Sequence, residues 1–196
     1  MKVMMGIVIT LVVLFTASQI WAKSLTAKIE MYEYEVIKSF ENFEIRKYAP
    51  ATFSYVTIDD TSYDASSSAG FRQLAGYIFG GNEKGQSIAM TSPVEMEMDQ
   101  QMTMKFMVPG EYSLEDLPSP NNKNVKFKQE PERIVAAIQF SGYANDAKIE
   151  MYKTALNKLL YVHGLKHNGE YSFMGYNSPF DVFNRRNEVI VELTSI

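Results

Sequence analysis

The run of local signals between residues 33 and 108 recurs, in the same order, between residues 125 and 194. A repeat of this kind restricts the fold more than any bulk property, because each unit must bury its apolar faces against the other. In the first unit, EYEVIKSF (33–40), FEIRKY (43–48) and ATFSYVTI (51–58) are rich in β-branched and aromatic residues, with Asn42 and Pro50 as punctuation. They read as an antiparallel meander. A helix follows, N-capped by Asp64 or a nearby serine, with Phe71, Leu74, Ala75, Ile78 and Phe79 at helical spacing and Gly80 and Gly81 at its end. SIAMTSPVEM (87–96) and VEMEMDQQMTMKFMV (94–108) close the unit.

The second unit begins with VKFKQEPERIVAAIQF (125–140), where Pro131 separates two strands as Pro50 does in the first. Its helix, Asp146 to Val162, carries Ile149, Leu156, Leu159 and Leu160 and stops at Gly164; SFMGYNSPF (172–180) and NEVIVEL (187–193) follow. The offset is roughly 85 residues and the connection is the loop PGEYSLEDLPSPNNKN. Two strand-strand-helix-strand-strand units of this kind form one α+β domain of antiparallel sheet and two helices. A groove is expected where the repeats meet.

The chain of 196 residues, 46% hydrophobic, suits a single core. A net charge of −4 with scattered Lys and Arg argues against nucleic-acid binding. Residues 1–22 carry Lys2, an apolar run from Val3 to Phe15 and a more polar stretch to Ala22, the pattern of a secretory signal. If it is not cleaved, residues 3–21 would serve as a membrane anchor, so the expected location is periplasmic or secreted, or membrane-anchored, with 23–196 as the functional domain. The absence of cysteine excludes thiol catalysis and thiolate metal sites.

Among chemical candidates, the cluster Met90, Met96, Met98, Met102, Met104 and Met107 could hold Cu(I) through soft thioethers. Spacing by two around a turn at 99–101 instead puts Met96, Met98, Met102 and Met104 on the inward face of a hairpin, with Glu95, Glu97, Thr103 and Lys105 outward. Ser87, Thr91 and Ser92 have no G-x-S-x-G context, and His163 and His167 are the only bases of their type, so a hydrolytic triad is not expected. SIAMTSPVEM therefore reads as scaffold, a strand ending at Ser92-Pro93. His163, at the end of the second helix, is either a C-terminal cap or an imidazole offered to a metal; His167 falls in an exposed turn. Arg185 and Arg186 could grip a carboxylate, or pair structurally with Glu188.

Three segments, GGNEKGQSIAMTSPVEM, GYNSPFDVFNRRNEVIVEL and FEIRKYAPATFSYV, together resemble the SOUL family of haem-binding proteins, and the likeness runs from residue 33 to 193. It implies a distorted antiparallel β-barrel of two pseudo-symmetric β-β-α-β-β repeats flanked by two helices. It also implies an exposed apolar groove that binds haem or a related tetrapyrrole; with no catalytic constellation in the sequence, the expectation is a monomeric, non-catalytic binder of haem or porphyrin for transport, buffering or scavenging. The groove is expected along the first helix and the loop before the last strand, at Phe71, Leu74, Ala75, Ile78, Phe180, Val182 and Phe183, with Gly76 admitting a flat ring and Arg72 meeting a propionate. Asp181 places an acid in that loop, and no histidine lies near the first helix, leaving His163 as the only candidate axial ligand. The competing class is an enzyme acting on a tetrapyrrole or small apolar substrate in the same groove, through Glu95 or Tyr77, although no acid and base pair can be named.

Overall fold

The computed structural model describes residues 29–99, 101–178, 181 and 184–195. Its strands are β1 (Glu30–Met31), β2 (Tyr34–Ser39), β3 (Glu44–Tyr48), β4 (Ala51–Ile58), β5 (Thr91–Ser92), β6 (Val94–Met98), β7 (Met102–Met107), β8 (Lys126–Glu130), β9 (Arg133–Ser141), β10 (Lys166–Gly175) and β11 (Arg186–Ser195). The helices are α1 (Tyr63–Ile78) and α2 (Asp146–Val162).

Nine strands form one antiparallel sheet in the order β2-β3-β9-β11-β10-β6-β7-β4-β8, and β1 pairs with β5 in a separate parallel ribbon. Setting β2 aside, exchange of the first repeat (β3, β4, β6, β7) for the second (β8, β9, β10, β11) turns this order into its own reverse. The pseudo-two-fold axis thus passes between β6 and β10. Only the first step of the expected meander forms: β2 pairs with β3, but β3 then pairs with β9 while β4 pairs with β7 and β8. Each repeat lends its first strand to the other half, and the turns at Pro50 and Pro131 carry the chain between the two ends of the sheet. The sheet is therefore strongly curled, a half-barrel in which those ends approach.

One face packs under the helices. Met96, Met102, Met104, Phe106, Ile138, Phe173 and Val189 from the sheet meet Leu74 and Ile78 of α1 and Ile149, Leu156 and Leu160 of α2 in a single cluster. Met102 and Met104 are fully buried there, so the methionines act as adaptable core filler, as the spacing by two predicts.

The opposite face departs from expectation. Glu95 and Lys105, expected in solvent, are 1% and 0% exposed. Alternation correctly puts them across the sheet from the methionines, but curling turns that second face into an interior. It is filled by Tyr32, Tyr48, Phe53, Met107, Val135, Met174 and Ile190, and by two ion clusters. In the first, Lys105 Nζ lies 2.9 Å from Glu95, 2.7 Å from Glu97 and 2.9 Å from Glu130, and Arg133 donates to Glu95 at 2.7 Å. Arg133 stands on β9 and Glu95 on β6, with β11 and β10 between them in the sheet order, so this bond crosses the interior. In the second cluster, Glu188 accepts from Arg46 at 2.7 Å, Arg186 at 2.7 Å and the Tyr176 hydroxyl at 2.7 Å.

Burial alone would push the Glu95 carboxyl up, but the adjacent Lys105 and Arg133 charges and hydrogen bonds outweigh it and hold the group down at about 2. Glu188 is lowered in the same way, its burial outweighed by Arg46 and Arg186.

Candidate functional site

Helix α1 begins at the N-cap Ser62, whose hydroxyl accepts from Ala65 N at 3.1 Å. Asp146, from the start of α2, accepts from Tyr63 N at 2.6 Å and from the Ser62 hydroxyl at 2.6 Å. The two helix starts are thereby tied together, each contributing an acid near the other's free amides, where the helix dipole favours it.

The other end of α1 is held by the Gly80-Gly81-Asn82 turn. Gly80 has φ of 102°, and a Cβ on Gly81 would stand 2.5 Å from the Gly76 carbonyl oxygen, so neither position accepts a side chain without movement. Asn82, 3% exposed, donates to the carbonyls of Tyr77 (3.1 Å) and Gln86 (2.7 Å) and accepts from the amides of Lys84 (3.2 Å) and Gln86 (3.0 Å). The first motif of the family likeness is thus a clamp on the helix terminus. Asn82→Ala should cost about 2 kcal/mol by stranding these buried groups, measurable as a lower midpoint in denaturant at unchanged m.

Between these anchors, α1 turns two unlike faces. Leu74, Ala75 and Ile78, expected along the groove, point into the core at 0%, 8% and 4% exposure. Phe71 is half-buried with its ring edge-on to Phe106 at 5.3 Å. At 100° per residue, the outward face is Ala65, Ser68, Ala69, Arg72 and Gly76, all exposed, continued by the C-cap residue Phe79. Arg72 has no hydrogen-bond or ion-pair partner among the described residues. Phe79 is 64% exposed. Phe180, Val182 and Phe183 lie outside the described residues.

Gly76 is distinctive. Among the described glycines, the others either have positive φ or would bring a Cβ within 3.4 Å of a neighbour, as at Gly70, 3.1 Å from Ile58 and Met104. Gly76 has neither property, and among the described residues no neighbouring atom lies within 4 Å of where its Cβ would be. A glycine inside a helix costs roughly 0.5–1 kcal/mol relative to alanine, and no contact among the described residues requires this one.

The remaining candidates are committed elsewhere. The Thr91 hydroxyl donates to Met107 O at 2.7 Å and the Ser92 hydroxyl to Tyr176 O at 3.2 Å, so SIAMTSPVEM is scaffold. Arg186 is bound to Glu188, and Arg185 donates to the carbonyls of Ser178 (2.9 Å) and Asp181 (2.7 Å), so the pair does not form a carboxylate grip. Asp181 is buried and accepts from Asn177 at 3.1 Å, which removes the acid expected at the groove. His163 is the C-cap of α2 and lies against the rings of Phe40 and Phe43 at 4.6 and 5.5 Å. His167 is not in an exposed turn: it stands half-buried in the bulged start of β10, 3.0 Å from Asn157 Oδ1. Asn168 and Gly169 supply the bulge that allows the strand to begin early. Among the described residues, no hydrogen bond, ion pair or ring contact joins either histidine to α1. No cluster of three or more metal-binding side chains occurs among the described residues, and no described helix is long and apolar enough to cross a membrane.

A curled two-repeat antiparallel sheet with two helices on one face and a charged interior defines an α+β half-barrel fold. The chain belongs to the SOUL heme-binding protein family, whose model matches residues 29–192. It is 30% identical to heme-binding protein 2 of Homo sapiens over 157 residues, 76% of each chain. It is 26% identical to heme-binding protein 1 of Xenopus laevis over 178 residues, 85% of this chain and 93% of that one. Among solved structures, the EcmrR C-terminal domain aligns with a TM-score of 0.61 at 8% identity, covering 83% of this chain and 99% of that one. A hydrolase from Listeria innocua aligns at 0.57 with 9% identity, covering 81% and 94%. These two share the fold alone.

Proposed function

We propose that the chain binds haem or a related tetrapyrrole on the outward face of α1, and that it does so as a non-catalytic carrier or buffer on the secretory side of a membrane. Family membership carries the ligand, since relatives matching most of the chain are named heme-binding proteins. The open surface above Gly76 supports the place, because a flat macrocycle can approach backbone there, with the unpartnered Arg72 beside it for a propionate. The signal-like residues 1–22 support the location. The absence of a nameable acid and base supports a binder over an enzyme.

With both histidines engaged away from α1, affinity comes from apolar contact rather than from axial ligation. Several hundred Å² of macrocycle buried at about 25 cal/mol per Å² gives several kcal/mol, enough for micromolar binding after association costs. Titration of ferric haem into the full chain should give a saturable Soret shift near one equivalent, and incubation with a reductant should return intact haem. His163→Ala and His167→Ala should each leave affinity within a few-fold. Loss of the haem spectrum in His163→Ala, with circular dichroism unchanged, would make His163 the ligand and move the site to the end of α2. Absence of saturation in the unsubstituted chain would remove the function.

A further inference from the structure

We infer that Phe79 is the apolar end wall of the tetrapyrrole site and that, with Arg72 at the other end, it selects porphyrins whose carboxylates are gathered on one edge. The inference rests on the haem-binding reading and names its ligand class more narrowly. Phe79 follows Arg72 by seven residues, two helical turns, so both stand on the face that Gly76 leaves open, about 10 Å apart along the axis. Along the chain between them, Gly76 is the one exposed residue.

A single exposed phenylalanine is ordinary on a protein surface. This one is fixed in place from both sides. Its amide donates to Ala75 O at 2.9 Å, it forms a β-bridge with Ser87, and the next turn is clamped by Gly81 N to Gly76 O at 2.8 Å. Its ring makes no ring contact among the described residues, so one face is free to stack on a ligand. A guanidinium at one end and a rigid aromatic ring at the other give the surface a polar and an apolar pole. A porphyrin with both carboxylates on one edge satisfies both poles. One with carboxylates on every edge must press a charged group against the Phe79 ring, where it loses water without gaining a partner.

The test compares iron-free protoporphyrin IX with uroporphyrin, which carries carboxylates around its whole periphery, on the full chain and on Phe79→Ala. Protoporphyrin should bind the unsubstituted chain at least tenfold more tightly, and Phe79→Ala should weaken protoporphyrin about tenfold while narrowing the gap between the two ligands. In the complex with diamagnetic zinc protoporphyrin, the Phe79 ring protons should show a large ring-current shift, which a purely structural residue would not. Equal affinity for the two porphyrins, or protoporphyrin binding within twofold in Phe79→Ala, overturns the inference and leaves haem binding intact. Failure of every tetrapyrrole to bind the unsubstituted chain overturns both.

Discussion

Lys105→Met is expected to lower the stability of the fold by about 3–5 kcal/mol, because it removes the ammonium that three carboxylates share inside the half-barrel. Methionine matches the volume of the stem, so the loss comes from charge rather than from a cavity. Glu95 would keep Arg133 at 2.7 Å, but Glu97 and Glu130 would face each other with less compensation. Replacing Glu95 and Lys105 together by methionine should recover part of the loss, since burying neither charge costs less than burying one alone. The same cluster sets the acid limit of the fold. The Glu95 carboxyl is depressed from 4.5 to about 2, so its contribution is fully present above pH 4.5 and is lost as the pH falls from there through about 2. Glu130 and Glu188 are lowered as well and act in the same direction. Denaturant midpoints between pH 7 and pH 2 should therefore fall on acidification in the natural chain and fall less in the doubly substituted one. An unfolding free energy for Lys105→Met within about 0.5 kcal/mol of that of the natural chain would show that the cluster does not hold the barrel closed.

Gly76→Leu is expected to separate binding from folding. The position has ordinary helical geometry and open space around it, so leucine should stabilise α1 by about 0.5–1 kcal/mol and raise the melting temperature slightly. The same side chain would stand in the space a macrocycle needs, and haem affinity should fall by more than about tenfold. A better-folded protein that has lost its ligand cannot be explained by damage to the fold. Binding within twofold of the natural chain would place the ligand somewhere other than the outward face of α1. Leu74→Asp cannot serve this purpose, because Leu74 is fully buried and its replacement would test the core.

Much of this fold is legible along the chain, where the physics is local. The β4 segment 51–58 and the α2 segment 146–162 coincide with the structure, since β-branched alternation and a capped 3.6-residue period act within the segment itself. The repeat was visible for the same reason, and so were the buried methionine face and the Ser92-Pro93 break. Strand partnership was not, because the sequence between β3 and β4 looks like a hairpin whichever sheet neighbour each strand takes. The site divides along the same line. Arg72 and Gly76, expected at the groove from helix period and family likeness, are exposed on α1, whereas Leu74, Ala75 and Ile78, expected beside them, face the core, because an apolar stripe is equally suited to a core or to a groove. Phe79 looks like one more core residue until the clamp at Asn82 shows which way the helix end is held.

The amino-acid order by itself determined two repeats, the elements within them, which residues share a strand face, and the family. Only the tertiary structure decided that the face carrying Glu95 and Lys105 is an interior, that Asp181 is buried, and that Gly76 has no described neighbour that requires a glycine. Alternation and helical period specify direction relative to the local backbone. Whether that direction leads to water depends on how distant segments close over it, and here the exchange of first strands between the repeats curls the sheet around its own charged face.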